Sequence, residues 1–235
     1  MTAPACPFKT YPMRPGLEEP PATMVGLPND RRGYPIPYFV DYVGDEPEFR
    51  AFDPVKMRDC INKRLCWTCG KPLWREAVFV IGPMCAINRV NSEPPNHREC
   101  ARYSARNCPF LSRPHMVRRT DGLPEEGIKT AGISIPRNPG AMCLWYTYRY
   151  KPFRTQADSR GVGAGILFEL GNPFRVEWYA EGREATRAEI LASVDTGLPL
   201  LYAANDKEYT EQLREEGRIM IQQRLDQLMR LVPKR

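Results

Sequence analysis

The sequence predicts an α+β protein, in which a cysteine-rich module is joined to a small antiparallel sheet with C-terminal helices. Six of the eight cysteines fall between positions 60 and 108. Short aromatic and β-branched runs bounded by glycine and proline follow, which is typical of strands. The last fifty residues carry apolar side chains at helical spacing. A chain of 235 residues suits one large domain, or a small module joined to a larger one.

The first fifth of the chain predicts an irregular, extended arm. Eleven of the 24 prolines lie between Pro4 and Pro54, and proline disfavours long helices and central strands. The arm also holds several aromatic residues, so we expect it to wrap around the body of the protein. We predict four segments: an arm at 1–54, a Cys/His module at 55–119, a connector at 120–141, and a hairpin with two helices at 142–235.

Two pairs of metal-ligand residues stand at short spacing in the module. Cys66 and Cys69 are separated by two residues and followed by Gly70, which permits the positive φ that a metal-binding turn needs. His97 and Cys100 have the same spacing at the start of a predicted helix. We interpret these four side chains as ligands of one structural zinc ion, because four protein ligands leave no open position for catalysis.

The remaining cysteines leave alternatives open. Cys85 or Cys108 could replace one of the four ligands, and Cys60 with these two could form a second metal site. Cys6 and Cys143 have no evident partner, so we interpret both as ordinary thiols.

Local signals place most of the other elements. Asp53-Pro54 begins a helix that runs towards Leu65, and Asn96 with Glu99 predicts a capping box for the helix that ends at Asn107. Thr186 with Glu189 predicts a second capping box. The predicted elements are a strand at 77–81 stopped by Gly82-Pro83, an aromatic strand at 143–150, a hairpin of 166–170 with 174–180, a helix from Thr186 to Gly197, and a final helix from about Asp206 to Val232.

The order of metal-binding turn, strand pair, loop and ligand-bearing helix resembles the treble-clef zinc fingers. The resemblance rests on Cys66, Cys69, His97 and Cys100, covers about residues 60–110, and implies a hairpin near Val78–Val90. The chain is also similar to uncharacterised zinc-binding proteins encoded by bacteriophages and prophages. The segments that carry this likeness are 79–90, Pro94-Pro-Asn-His-Arg-Glu-Cys100 and 107–111. The likeness implies an origin and no activity.

Charge favours nucleic acid as a partner. The net charge is +6, and residues 58–119 alone hold twelve Lys/Arg against four Asp/Glu. Arginines recur every four residues on the predicted helix, as expected of a face that contacts phosphates. The predicted nucleic-acid-binding residues are Arg98, Arg102, Arg106, Arg113, Arg118 and Arg119. The same face could instead be an ordinary solvated surface.

Two other functions remain open. A protein-binding factor that interferes with a host machine, for example in anti-defence, would use the aromatic arm or the last helix to contact a host or phage protein. A metal-dependent nuclease would need a histidine on the hairpin next to the finger, whereas the only other histidine is His115.

The sequence also bears on location and assembly. No signal-like start or membrane-length apolar run is present, so we expect no membrane partner and a cytoplasmic location in a bacterial host cell. The last helix could also pair with its own copy in a homodimer.

Two local patterns are ambiguous. The aromatic strand at 143–150 could stack bases, although a half-buried sheet strand is the commoner case. The glycines from Gly161 to Gly165 precede a predicted strand rather than a helix, so a loop fits them better than a dinucleotide-binding turn.

Overall fold

Three antiparallel sheets and five α-helices make up the part of the chain that the computed structural model describes, which is residues 9–113, 138–156, 164–208 and 210–234. The α+β class is therefore confirmed. The helices are α1 Pro54–Lys63, α2 Pro83–Asn88, α3 Arg98–Asn107, α4 Arg187–Asn205 and α5 Glu211–Met229. The strands are β1 Val40–Val43, β2 Glu46–Phe52, β3 Ala77–Ile81, β4 Val90–Asn91, β5 Met142–Thr147, β6 Tyr150–Thr155, β7 Gly165–Leu170, β8 Arg175–Ala180 and β9 Arg183–Glu184.

The central sheet has the strand order β3-β5-β8-β9, and β4-β7-β6 forms a second sheet beside it. All six residues of β5 are buried, as expected of a strand with neighbours on both edges and packing on both faces. Trp145 and Phe79 are fully buried in the main core, where α2, α4 and α5 pack. β3, the edge strand of the central sheet that follows the cysteine pair of the module, packs into this core.

Strand pairing differs from the prediction in two places. The strands at 166–170 and 174–180 exist but do not form a hairpin, because β7 pairs with β6 and β4 whereas β8 pairs with β5 and β9. The aromatic strand also ends earlier, at Thr147, and Tyr150 begins β6 in the other sheet. In both cases the chain changes sheets at a short turn.

The strand pair implied near Val78–Val90 is also absent, and this prediction was wrong. Gly82 and Pro83 stop the strand as expected, but they also begin α2, where Pro83 occupies the first helical turn. β3 takes β5 as its partner instead of β4. β3 forms only a single antiparallel bridge, between Val78 and Asn96, with the segment before α3, so the treble-clef arrangement is not confirmed.

Two of the predicted helix starts are confirmed. Asp53 caps α1, and the capping box of Thr186 with Glu189 is present on α4. However, α4 continues through Pro199 to Asn205, past the predicted end at Gly197. Gly197 lies against Met84, where a Cβ atom would come within 2.9 Å of the side chain. The final helix begins at Glu211, later than predicted.

The arm contains a β1-β2 hairpin that the sequence did not reveal. Aromatic rings of the arm lie on the module: Phe39 stacks on Trp67 with ring centroids 4.7 Å apart, and Tyr38 lies over Gly70.

Most of the predicted connector, together with His115 and the first part of the glycine stretch, lies outside the described residues. In the described part of the chain, no helix has the length and apolar character to cross a membrane.

Candidate metal centre and the arginine-rich face

The first pair of candidate ligands lies in a tight turn between α1 and β3. The Cys66 amide donates to the Lys71 carbonyl at 2.8 Å, and the Gly70 amide donates to the Cys66 carbonyl at 2.8 Å. Gly70 has φ +70°, a conformation that glycine adopts without strain. These bonds aim the sulfurs of Cys66 and Cys69 into the protein, where both are buried.

The second pair lies at the start of α3, although the predicted capping box was wrong. His97 is the N-cap residue, and Asn96 lies one position before it. The Asn96 side chain instead accepts hydrogen bonds from the Thr68 amide at 3.1 Å and the Thr68 hydroxyl at 2.7 Å. Asn96 therefore fastens the start of α3 to the cysteine turn, which brings Cys100 over that turn.

The four predicted ligands form one buried group. Their donor atoms all lie within 4.8 Å of one another, and Cys69 Sγ is 3.3 Å from His97 Nδ1. Thiolates bound to one zinc ion at 2.3 Å in a tetrahedron are about 3.8 Å apart, so a contraction of about 1 Å or less would close the site. Three thiols and one imidazole are therefore placed to hold a metal ion such as zinc.

Hydrogen bonds set the orientation of the histidine ring. His97 Nε2 lies 2.8 Å from the Pro72 carbonyl oxygen, which can only accept, so Nε2 carries the proton and Nδ1 faces the sulfurs. Burial disfavours the charged imidazolium, yet hydrogen bonding to Cys66 and Cys69 raises the pKa of His97 to about 10. A metal ion would take the place of the second proton, the one on Nδ1, and Nε2 would keep its hydrogen bond to Pro72, because only the neutral ring binds a metal.

Cys60, Cys85 and Cys108, the competing cysteines, are not members of the group. Burial raises the pKa of the Cys60 thiol to about 12 and that of Cys85 to about 11, and it also raises the pKa of Cys108. Within the described ranges, no second cluster of candidate ligands is found. The second site proposed for these three cysteines is therefore not formed there.

One contact to the group was missed by sequence reasoning. Thr23, in the 3-10 turn Ala22–Met24 of the arm, places Oγ1 at 3.2 Å from Cys100 Sγ. Met24 and Tyr103 pack beside it and close this small core against water. Thr23 and Cys100 are 77 positions apart in the chain, which leaves no local signal for this contact.

Gly70→Ala is expected to lower the free energy of unfolding by about 3 kcal/mol, because a positive φ and a clash act together. A Cβ atom at Gly70 would lie 2.6 Å from the Tyr38 ring. Gly44→Ala is the matched control, because Gly44 has φ +61° and nothing within 4 Å of its Cβ position. Gly44→Ala should cost about 1 kcal/mol in the same denaturant titration. Equal losses would show that the Tyr38 contact is unimportant.

The three arginines of α3 share a face as predicted, but each has an acidic partner. Arg98 pairs with Glu76 at 2.7 Å, Arg102 with Glu177 at 2.5 Å, and Arg106 more loosely with Glu18 at 3.5 Å. Arg113 is exposed beyond the end of α3, and positions 118 and 119 lie outside the described residues. The spacing of the arginines predicted this face, but the sequence did not predict the acidic residues that pair with them.

Positive charge nevertheless remains on this face. Glu177 pairs with two arginines, Arg102 and also Arg175 at 2.7 Å. These three side chains together carry one net positive charge. Burial opposes ionisation of Glu177, but the hydrogen bonds from Arg102 hold the pKa of its carboxyl below the usual range. Arg75 lies over the Tyr148 ring and has no salt bridge among the described residues.

Comparisons of the chain with protein-family models, with curated proteins and with solved structures give no match.

Proposed function

We propose that this chain is a structural-zinc protein that binds nucleic acid through the arginine-rich face of α3. The donor set supports zinc, because three thiolates and one imidazole suit its tetrahedral preference. Four protein donors would leave no position for substrate, so the ion would act in folding. It would join the cysteine turn to α3, as the ligand-bearing turn and helix of a treble clef do.

The observation that carries the binding proposal is the uneven ion pairing of this face. Arg102 and Arg175 share the single carboxylate of Glu177, and Arg106 has only a long contact to an exposed acid. Long, exposed pairs are worth little and exchange readily for phosphate. Guanidinium groups also match phosphate oxygens in two-point hydrogen bonds. A phosphate backbone would therefore complete the charge balance of the face.

A titration of labelled single-stranded and duplex DNA and RNA at low and moderate salt tests this proposal. Wild-type protein should bind with an affinity that falls by about 0.7 to 0.9 log units per log unit of salt for each phosphate contacted. Arg102→Gln and Arg106→Gln should each weaken binding on every sequence and reduce the salt slope. No binding by wild type at low salt would overturn the proposal.

Arg218→Gln is the matched control for these substitutions. Arg218 is an ion-paired, partly exposed arginine on α5, paired with Asp206 at 2.8 Å, and it should leave affinity unchanged. Half of the samples should contain magnesium, because magnesium-dependent cleavage of the labelled strand would favour the alternative hypothesis of a metal-dependent nuclease.

A further inference from the structure

Two aromatic rings stand out of the surface at the end of the central sheet. Tyr148 follows β5 and is 50% exposed, and Phe174 precedes β8 and is 45% exposed. Their rings are stacked, with centroids 4.2 Å apart and planes 11° from parallel. We call Tyr148 and Phe174 the ring pair. Because Tyr148 has Phe174 on one face and the Arg75 guanidinium over its ring, the pair presents chiefly the outer surface of Phe174 and the exposed ring edges to a ligand in solvent.

The backbone holds the ring pair in place. The Gly171 amide donates to the Arg149 carbonyl at 2.9 Å, and the Phe174 amide donates to the Tyr146 carbonyl at 3.0 Å. A Cβ atom at Gly171 would lie 2.3 Å from the Arg149 carbonyl oxygen, so the two turns can approach this closely only with glycine there. The rings are therefore preorganised, which lowers the entropy lost when a ligand binds.

Two arginines lie close to the ring pair. The Arg75 guanidinium lies 5.1 Å from the centroid of Tyr148, and Arg175 is the next residue after Phe174. Arg175 also lies over the buried Tyr146 ring at 5.5 Å and shares Glu177 with Arg102. Arg175 therefore connects the ring pair to the arginine-rich face, and the Arg75 guanidinium lies over Tyr148.

The segment that carries Arg75 is also attached to the candidate metal centre. Trp74 precedes Arg75 and lies with its ring centroid 4.9 Å from that of His97. The Trp74 carbonyl accepts a hydrogen bond from Arg64 at 3.4 Å. The cysteine turn therefore positions the cation that covers the ring pair.

From this arrangement we infer that the ring pair stacks the bases of single-stranded nucleic acid, with Arg75 and Arg175 at the phosphates. The inference rests on the proposed function and names the form of nucleic acid that this face would select. Bases in a duplex present no free face, whereas bases of a single strand can stack on aromatic rings without regard to sequence. An apolar peptide would fit less well, because the rim of the ring pair is cationic.

The test compares a labelled single-stranded oligothymidine with a hairpin duplex, using wild type, Tyr148→Ala, Phe174→Ala and the double variant. Wild type should prefer the single strand. Each single substitution should weaken single-strand binding by about tenfold. Duplex affinity and the salt slope should stay almost unchanged, since no charge is removed. Tyr148→Phe should bind as wild type does, because it keeps the ring.

Phe52→Ala is the matched control, because Phe52 is 44% exposed but lies on the β1-β2 hairpin. It should not alter binding, and thermal melting of every variant should confirm a folded protein. Wild-type binding that the double variant leaves intact, or that falls equally for single strand and duplex, would overturn the inference and leave the proposed function standing. A wild type that binds neither probe would overturn both.

Discussion

Cys66→Ser/Cys69→Ser is expected to abolish metal binding and to unfold the cysteine turn and the start of α3. Structural zinc contributes about 10–16 kcal/mol to folding in zinc-finger peptides, which is as large as the whole stability of an ordinary domain. The four candidate ligands are buried together with few apolar neighbours, so little else would hold this small core. Denaturant unfolding and near-ultraviolet circular dichroism measure the loss.

Cys60→Ala is the control that separates ligand loss from the loss of a buried thiol. Cys60 is 2% exposed and lies on α1 just before the turn, but it is not a member of the group. This variant should keep its metal and lose only about 1 kcal/mol. If the double serine variant kept its metal and its stability, the assignment of the ligands would be wrong.

Trp145→Ala is expected to lower the free energy of unfolding by at least about 4 kcal/mol. Trp145 is fully buried in the central strand, and its indole N–H donates to the Gly171 carbonyl at 2.9 Å. The Arg89 guanidinium lies 4.3 Å from the ring centroid, and Arg89 is only 8% exposed. Alanine would leave both a cavity and a buried cation without its aromatic partner.

Two further variants separate the contributions of Trp145. Trp145→Phe keeps an aromatic face for Arg89 but loses the hydrogen bond to Gly171, so its loss should be smaller. Trp74→Ala removes the same side chain where it is 55% exposed and keeps a ring contact with His97, so its loss should be well below that of Trp145→Ala in the same denaturant titration. Similar losses for Trp145→Ala and Trp74→Ala would contradict the assignment of Trp145 to the core.

The candidate ligands were predictable because each pair lies within four consecutive residues. A short spacing such as Cys66-x2-Cys69 fixes the local geometry of two donors whatever the rest of the chain does. The predicted capping box of Asn96 with Glu99 was wrong, because the Asn96 side chain hydrogen bonds to Thr68, 28 residues away, and not to its own helix. A local pattern could not show this competition.

Strand partners were not predictable for the same reason. β3 pairs with β5, and Phe79 lies opposite Trp145, far along the chain. The sequence around Gly171 suggested a hairpin, yet Gly171 allows a crossing between two sheets. Likewise, the helical spacing of the α3 arginines was visible, but the choice of Glu177 as a shared partner depends on the packing of β8 against α3.

The most direct test of the metal centre is the zinc content of the full chain, purified without added metal or chelator and measured against protein concentration. The arrangement of Cys66, Cys69, His97 and Cys100 predicts about one zinc ion per chain, retained on dialysis and released together with loss of the fold by a strong chelator. A folded protein that contains no zinc, and whose stability a chelator does not change, would contradict it.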